Sequence, residues 1–237
     1  MPMTDSGSLE DAGGDIDACQ FVFAPGWAME PAFFAPLIAR LGIADPRFSD
    51  RSYFADSVEH DAVAVTDSEW PGSDWIGIGH SLGFLRLASG DLKNCKALIS
   101  LNGFTDFCAD GGTSRRIIER MHRKLRRSPE EVVRDFRQRC GPVVFTTPDS
   151  FNLERLSQDL LRLADDRIDT GEKLAAIAGI PVLALASADD PVVPLSLCET
   201  QFKNIRGCPG GRHHQGTKFG YWCSHQIQSF LSKKVSG

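Results

Sequence analysis

The chain has 237 residues, of which 42% are hydrophobic and 24% are charged, and its formal net charge at pH 7 is −5. This length and composition are typical of one globular domain with a substantial core. No apolar stretch approaches the ~20 residues that a transmembrane helix needs, and the acidic balance disfavours a nucleic-acid-binding protein, so we expect neither a membrane nor a nucleic acid as partner.

The first 17 residues are acidic and rich in Gly and Ser, with no hydrophobic segment. They predict a disordered leader rather than a signal peptide. Seven cysteines are scattered along the chain without a C-x-x-C pair, which indicates reduced thiols rather than a disulfide framework or a zinc site. We therefore predict a cytoplasmic protein without a metal centre.

Residues 18–237 predict one α/β domain, because strands and helices alternate along them. In chain order, the predicted elements are a strand at 19–24, a helix near 31–41, a strand near 47–54, a helix around 57–66, a strand at 74–79, a helix ending near 90, a strand at 96–101, a helical insertion, a strand at 181–186, a helix near 194–203, a strand at 204–208 and a helix at 217–232. This alternation predicts a mostly parallel sheet with helices on both faces.

The most informative motif is the pentapeptide GHSLG at residues 79–83. Between a buried strand and a helix, the pattern G-x-S-x-G predicts a nucleophile elbow, a strained turn that exposes a serine hydroxyl. The two flanking glycines are required because larger side chains would collide with the neighbouring strand and helix. Ser81 is therefore the candidate nucleophile, and His80 within the turn is expected to be structural rather than a second base.

About eighty residues separate the strands at 96–101 and 181–186, too many for a simple crossover. Their apolar periodicity predicts three helices, which begin after Thr113 or Ser114, after Ser128 and near Leu153. We expect an all-helical insertion there.

This insertion is basic although the chain is acidic. Residues 115–139 contain ten Lys or Arg and four Asp or Glu, a net charge of +6, so the rest of the chain carries −11. Such segregation indicates a surface for an anionic partner, with a solvated helix face as the alternative. The candidate docking residues are Arg115, Arg116, Arg120, Arg123, Lys124 and Arg127.

An acid and a base are needed to activate a serine, because its hydroxyl is a weak nucleophile. The strand at 181–186 ends close to Asp189 and Asp190, and the carboxyl ends of parallel strands are where open α/β sheets place their sites. Asp189 has the alternative role of a solvated turn or capping residue, and Asp106 is a further candidate acid.

The candidate bases are two adjacent histidines in a Gly-rich loop before the last predicted helix. The distance to that helix, around Trp222, favours His213, and His214 is the alternative. The order along the chain is then serine, acid and histidine.

Four segments together resemble the α/β-hydrolase superfamily: the loop Pro25-Gly26-Trp27, the elbow at 79–83, the segment Asp190-Pro191-Val192-Val193-Pro194 and the loop of His213 and His214. The resemblance covers nearly all of residues 18–232. It implies the α/β-hydrolase fold with a helical lid at about 108–168, and it favours Asp190 because D-x-x-V-P recurs there with the acid first. Only about 18 residues precede the first strand, so the two opening antiparallel strands are expected to be reduced.

Two positions depart from the superfamily pattern. The early loop usually reads His-Gly-x, and here Pro25 takes the place of the histidine while Gly26 remains. The catalytic histidine usually follows a glycine, and here Arg212 intervenes, which bears on the choice between the two histidines.

Within the superfamily, the Gly-Trp pair of the early loop and the lid are similar to the pimeloyl-acyl-carrier-protein methyl ester esterases of biotin synthesis. This similarity implies a cofactor-free serine carboxylesterase, expected as a monomer, with Ser81, His213 and Asp190 as its triad. The N–H groups of Trp27 and Leu82 would form the oxyanion hole, and the basic lid would dock acyl carrier protein, a small acidic protein. The alternatives are an esterase or thioesterase for another small acyl substrate, and a non-catalytic binding scaffold.

Overall fold

A computed structural model describes residues 18–54, 72–141, 150–168, 177, 179–213 and 217–234. The leader predicted at 1–17, the helix predicted around 57–66 and the alternative base His214 lie outside these residues.

Six strands form one sheet. They are β1 (Gln20–Ala24), β2 (Arg47–Phe48), β3 (Trp75–His80), β4 (Cys95–Leu101), β5 (Val182–Ser187) and β6 (Ile205–Cys208). Their order is β2-β1-β3-β4-β5-β6 and all five pairings are parallel, which confirms the predicted parallel sheet. Within the described residues no antiparallel strand precedes or joins it.

Helices cover both faces of the sheet, because alternate residues of each buried strand point to opposite sides. Phe21 and Phe23 of β1 pack toward α1 (Ala35–Leu41) and α7 (Thr217–Lys234). Val22 and Ala24 face the other side, toward α2 (Leu82–Ser89) and α6 (Leu195–Gln201). None of the helices in the described part of the chain is long and apolar enough to cross a membrane.

The strand predicted near 47–54 is shorter than expected. It pairs with β1 only over Arg47–Phe48, after which the N–H of Ser49 makes a last bond to the carbonyl of Phe23. Ser52 then adopts φ +47°, which ends the extended conformation.

The described residues between β4 and β5 include three helices at the places that the apolar periodicity predicts. They are α3 (Arg115–Leu125), α4 (Pro129–Cys140) and α5 (Leu153–Asp165). Ser114 and Ser128 occupy the N-cap positions of α3 and α4, but their side chains make no capping hydrogen bond. Asn152 does cap α5, since its Oδ1 accepts from the N–H of Arg155.

A buried carboxylate ties α5 to the loop that follows β2. The side chain of Asp159 is fully buried, and its Oδ2 accepts from the Tyr53 hydroxyl at 2.6 Å and from Arg51 Nε at 2.7 Å. Burial and then the charge of Asp159 raise the pKa of Tyr53 well above its usual range, so the phenol stays a donor. The insertion is therefore anchored to the sheet layer by a charged group that needs both partners.

Replacing Asp159 by Ala should lower the free energy of unfolding by about 3 kcal/mol, because Arg51 and Tyr53 lose their acceptor in a buried place. Urea denaturation followed by circular dichroism measures this change. The matched control is Asp74→Ala, which breaks the exposed ion pair with Lys96 and should have an effect below about 1 kcal/mol. Equal losses in the two variants would contradict the anchoring role.

Candidate active site

Ser81 lies between β3 and α2 in a backbone conformation that few residues adopt. Its φ is +53° and its ψ is −124°, a strained combination for a residue with a side chain. Its N–H donates to the carbonyl of Leu101 at 3.0 Å, and its own carbonyl accepts from Phe84 at 3.1 Å. The strain is thus held by the neighbouring strand and helix, as a nucleophile elbow requires.

The glycines on either side of Ser81 permit this turn. A Cβ at Gly79 would lie 2.4 Å from the backbone of Phe84 in α2. At Gly83 it would lie 1.9 Å from the carbonyl oxygen of Ala24 at the end of β1. Both distances are far inside van der Waals contact, so α2 can approach the sheet this closely only when glycine occupies both positions.

Asp190 lies just beyond β5 and its carboxylate is fully hydrogen-bonded. Oδ1 accepts from the N–H groups of Val192 and Val193, at 2.7 and 2.9 Å. Oδ2 lies 2.7 Å from Nδ1 of His213, and both side chains are buried. The turn therefore aims one oxygen of Asp190 at the histidine.

The two other candidate acids do not contact His213. Asp189 is exposed, and its N–H bonds to the carbonyl of Gly211. Asp106 accepts from the N–H of Cys108 with its own side chain. Asp190 is therefore the carboxylate that the fold brings to the histidine.

His213 is only 1% exposed and lies beside the elbow. Because Asp190 accepts a hydrogen bond from the N–H at Nδ1, Nε2 is the nitrogen left to accept a proton from another group. The ring of His80, the neighbour of Ser81, lies 4.5 Å from the ring of His213. Among the described residues no hydrogen bond joins Ser81 to His213, and such contacts commonly tighten only when substrate binds.

The loop after β1 lies directly against the serine. A Cβ at Gly26 would lie 3.0 Å from Cβ of Ser81 and from Nδ1 of His80. Leu82 is the first residue of α2, so its N–H has no acceptor within the helix. The turn hydrogen bonds of the described residues do not use the N–H of Trp27 either. These two amides are the ones from which an oxyanion hole can be built.

Three side chains join the insertion to this loop: Trp27 from the loop, and Phe136 and Arg137 from the insertion. Trp27 is buried, donates from Nε1 to the carbonyl of Leu156 at 2.8 Å and packs edge-on against Phe136 at 4.9 Å. Arg137 donates from Nε to the carbonyl of Ala28 at 2.9 Å and lies over the ring of Phe54 at 4.4 Å. The insertion therefore covers the loop and holds its conformation.

Arg137 contributes to the net charge of +6 counted for residues 115–139, but it is not part of the surface. It is 3% exposed and also contacts Glu30 at 3.3 Å. The burial of Arg137 could have been predicted from the sequence. Arg137 follows Val133 by four residues and precedes Cys140 by three, which places it on the apolar face of α4.

The six candidate docking residues fall into two groups. Arg115 pairs with Asp165 at 2.8 Å, and Lys124 pairs with Glu131 at 2.7 Å, so these two cations are engaged within the insertion. The other four are exposed and form no ion pair with any described residue: Arg116, Arg120, Arg123 and Arg127. The first three share one face of α3 and the fourth follows its end, so the unpaired charge is concentrated along one line.

Two residues hold the backbone of the base: His80, which the sequence predicts to be structural, and Asn102, to which the sequence analysis gave no role. His80 Nε2 and Asn102 Nδ2 both hydrogen-bond the carbonyl oxygen of His213, at 2.9 and 3.1 Å. Asn102 was noted only as part of a segment after β4, because its partners lie 85 to 111 residues away in the sequence. The described residues hold no group of three or more His, Cys, Asp or Glu side chains that could bind a metal ion.

Solved structures with a similar fold cover almost the whole chain. An esterase from Exiguobacterium antarcticum matches with a TM-score of 0.65 at 15% identity, covering 90% of this chain and 92% of the esterase. The enol-lactonase from Burkholderia xenovorans matches with a TM-score of 0.65 at 14% identity, covering 91% and 92%. BioG from Haemophilus influenzae matches with a TM-score of 0.57 at 14% identity, covering 87% and 94%.

These similarities show that the chain has the α/β-hydrolase fold, as the sequence resemblance implied. No protein-family model matches the chain, and comparison with curated proteins finds no match.

Replacing Gly83 by Ala should destabilise the protein by about 3 kcal/mol or more, because the new methyl group has no room beside the carbonyl of Ala24. The control is Gly42→Ala at the end of α1, where φ is +69° and no atom lies within 4 Å. That variant carries only the conformational strain, about 1–2 kcal/mol. Chemical denaturation compares them, and similar midpoints would rule out the close approach at the elbow.

Proposed function

We propose that this protein is a serine carboxylesterase that uses Ser81, His213 and Asp190. The observation that carries the proposal is the buried bond of 2.7 Å between His213 Nδ1 and Asp190 Oδ2, beside a serine held at φ +53°. A strained serine next to an oriented imidazole is the arrangement that acyl transfer requires. The likeness of the fold to esterases and lactonases supports the same reaction class.

In the proposed reaction, Nε2 of His213 takes the proton of the Ser81 hydroxyl as Oγ attacks the ester carbonyl carbon. Asp190 holds the tautomer that leaves Nε2 free, and it stabilises the imidazolium that forms. The N–H groups of Trp27 and Leu82 bind the oxyanion of the tetrahedral intermediate. His213 then gives its proton to the departing alcohol, and water hydrolyses the acyl-enzyme with His213 again as base.

We further propose that the substrate is an acyl methyl ester carried on acyl carrier protein, with pimeloyl as the acyl group in biotin synthesis. Two observations support this substrate. The line of unpaired arginines on α3 suits an acidic carrier with a phosphopantetheine phosphate. The chain has the fold of BioG from Haemophilus influenzae, and the Gly-Trp pair of its early loop is similar to that of pimeloyl-acyl-carrier-protein methyl ester esterases. A monomer in the cytoplasm is part of the proposal, and the seven free thiols suit a reducing compartment.

Ser81→Ala should lower the turnover of p-nitrophenyl acetate by about 10⁴-fold or more, because the nucleophile is removed. It should also abolish covalent labelling by a fluorophosphonate probe. Ser224→Ala is the control, because among the described residues the hydroxyl of Ser224, in α7, bonds only the carbonyl of Tyr221. A Ser81→Ala variant that keeps its activity would refute the proposed mechanism.

The double variant Arg116→Glu and Arg120→Glu should lower kcat/KM for pimeloyl-acyl-carrier-protein methyl ester by about tenfold or more, because it reverses charge where the carrier would dock. Hydrolysis of p-nitrophenyl acetate should not change, and added salt should shrink the effect.

The control for this charge reversal is Lys93→Glu with Lys203→Glu. Both lysines are exposed near the amino ends of β4 and β6. Ser81 lies at the carboxyl end of the parallel strands, so the lysines are at the opposite end of the sheet. The net charge changes equally in the two double variants. An equal loss of activity on the carrier-bound ester would show that α3 is not a docking surface.

A further inference from the structure

The backbone carbonyl of His213 is held from two neighbouring strands. His80, the last residue of β3, places Nε2 at 2.9 Å from this oxygen, and Asn102, the first residue after β4, places Nδ2 at 3.1 Å. His80 and Asn102 are fully buried, and His213 is 1% exposed. A carbonyl oxygen has two lone pairs, so these two donors satisfy it completely.

The bond from His80 fixes the state of its imidazole. Because a carbonyl oxygen only accepts, Nε2 of His80 must carry the proton and cannot act as a base. Its ring lies between the rings of Phe33 and His213, with centroid distances of 4.3 and 4.5 Å. Packing on both sides prevents the ring from turning away from the carbonyl.

The side chain of Asn102 is also fixed in its orientation. It adopts φ +49°, a left-handed conformation that asparagine tolerates better than most residues. Its Oδ1 accepts from the N–H of Ser187 at 2.7 Å, which orients the amide so that Nδ2 faces the loop of His213. The side chain therefore joins the ends of β4 and β5 to that loop.

These contacts restrain His213 at two separate points. The bond to Asp190 fixes Nδ1, but a single hydrogen bond allows the imidazole to pivot and to carry Nε2 away from Ser81. Fixing the carbonyl at the other end of the residue removes this freedom. A displacement of about 1 Å in a catalytic group can cost a hundredfold in rate.

We infer that His80 and Asn102 are positioning residues, which act on catalysis by holding the carbonyl of His213. The inference rests on the proposed function, in which His213 is the base. Neither side chain takes part in bond making, so their removal should affect how often Nε2 is correctly placed rather than how the ester binds.

Two variants remove the donors with little change in side-chain volume. His80→Phe keeps a flat ring beside Phe33 and His213 but has no N–H. Asn102→Asp keeps the acceptor for Ser187 but replaces the amide donor by an ionised carboxylate oxygen, which repels the carbonyl of His213. For each we expect kcat on p-nitrophenyl acetate, per site titrated with fluorophosphonate, to fall about 10- to 100-fold with KM nearly unchanged.

Two further variants distinguish the loss of positioning from a general loss of structure at the site. His80→Gln restores an amide donor at the same place and should recover much of the rate lost in His80→Phe. Ser187→Ala removes the hydroxyl that bonds the carbonyl of Arg212 at 3.0 Å and accepts from Asn102 Nδ2 at 3.3 Å, but it leaves both donors to the carbonyl of His213, so kcat should stay within about threefold. A loss in Ser187→Ala equal to that in Asn102→Asp would overturn the inference.

The Nδ1 proton between His213 and Asp190 gives a readout that does not depend on turnover. Its downfield ¹H NMR resonance should be sharp in the native protein and should broaden in His80→Phe and Asn102→Asp. If both variants keep the native kcat per titrated site and the native resonance, the inference is wrong while the proposed function stands. If Ser81→Ala is as active as the native protein, the proposed function fails, and the resonance still tests the restraint on His213.

Discussion

The packing of α2 against the end of β1 is the contact on which the rest of this site depends. Only a hydrogen atom fits between Gly83 and the carbonyl of Ala24, and a Cβ at Gly26 would lie 3.0 Å from Cβ of Ser81. These contacts hold the elbow and the early loop side by side, and they support a serine at φ +53° that would otherwise relax. The histidine and its carboxylate then complete a geometry that the backbone has already set.

Local patterns in the sequence were enough to predict most of the fold. Strand and helix periods, the GHSLG turn and the helix starts depend on neighbouring residues, so the predicted strands and helices within the described residues are found close to their expected places, except that the strand near 47–54 spans only Arg47–Phe48. The same patterns could not separate Asp189 from Asp190 without a family motif, because only the contact with His213 distinguishes them. The hydrogen bond from Asn102 to the carbonyl of His213 could not be predicted for a similar reason, since the two residues are 111 positions apart in the sequence.

Charge was the least reliable signal, because the sequence counts charges without showing where they point. Residues 115–139 contain one buried arginine, three cations engaged in ion pairs, the line of four unpaired arginines, and two further exposed arginines off that line, Arg126 and Arg139. Arg137 does not reach the surface and instead holds the carbonyl of Ala28. The net charge of a segment therefore limits how much charge its surface can carry, but it does not show which side chains are exposed.

The contacts of Trp27 and Arg137 limit how the insertion can be changed. Because helices of the insertion bond the loop that would bind the oxyanion, the insertion is not an independent module that can be replaced without an effect on that loop. A different set of helices would bring new walls for the substrate and would also remove these partners from the carbonyl of Ala28 and the indole of Trp27. Replacing the insertion would therefore change substrate preference and rate together.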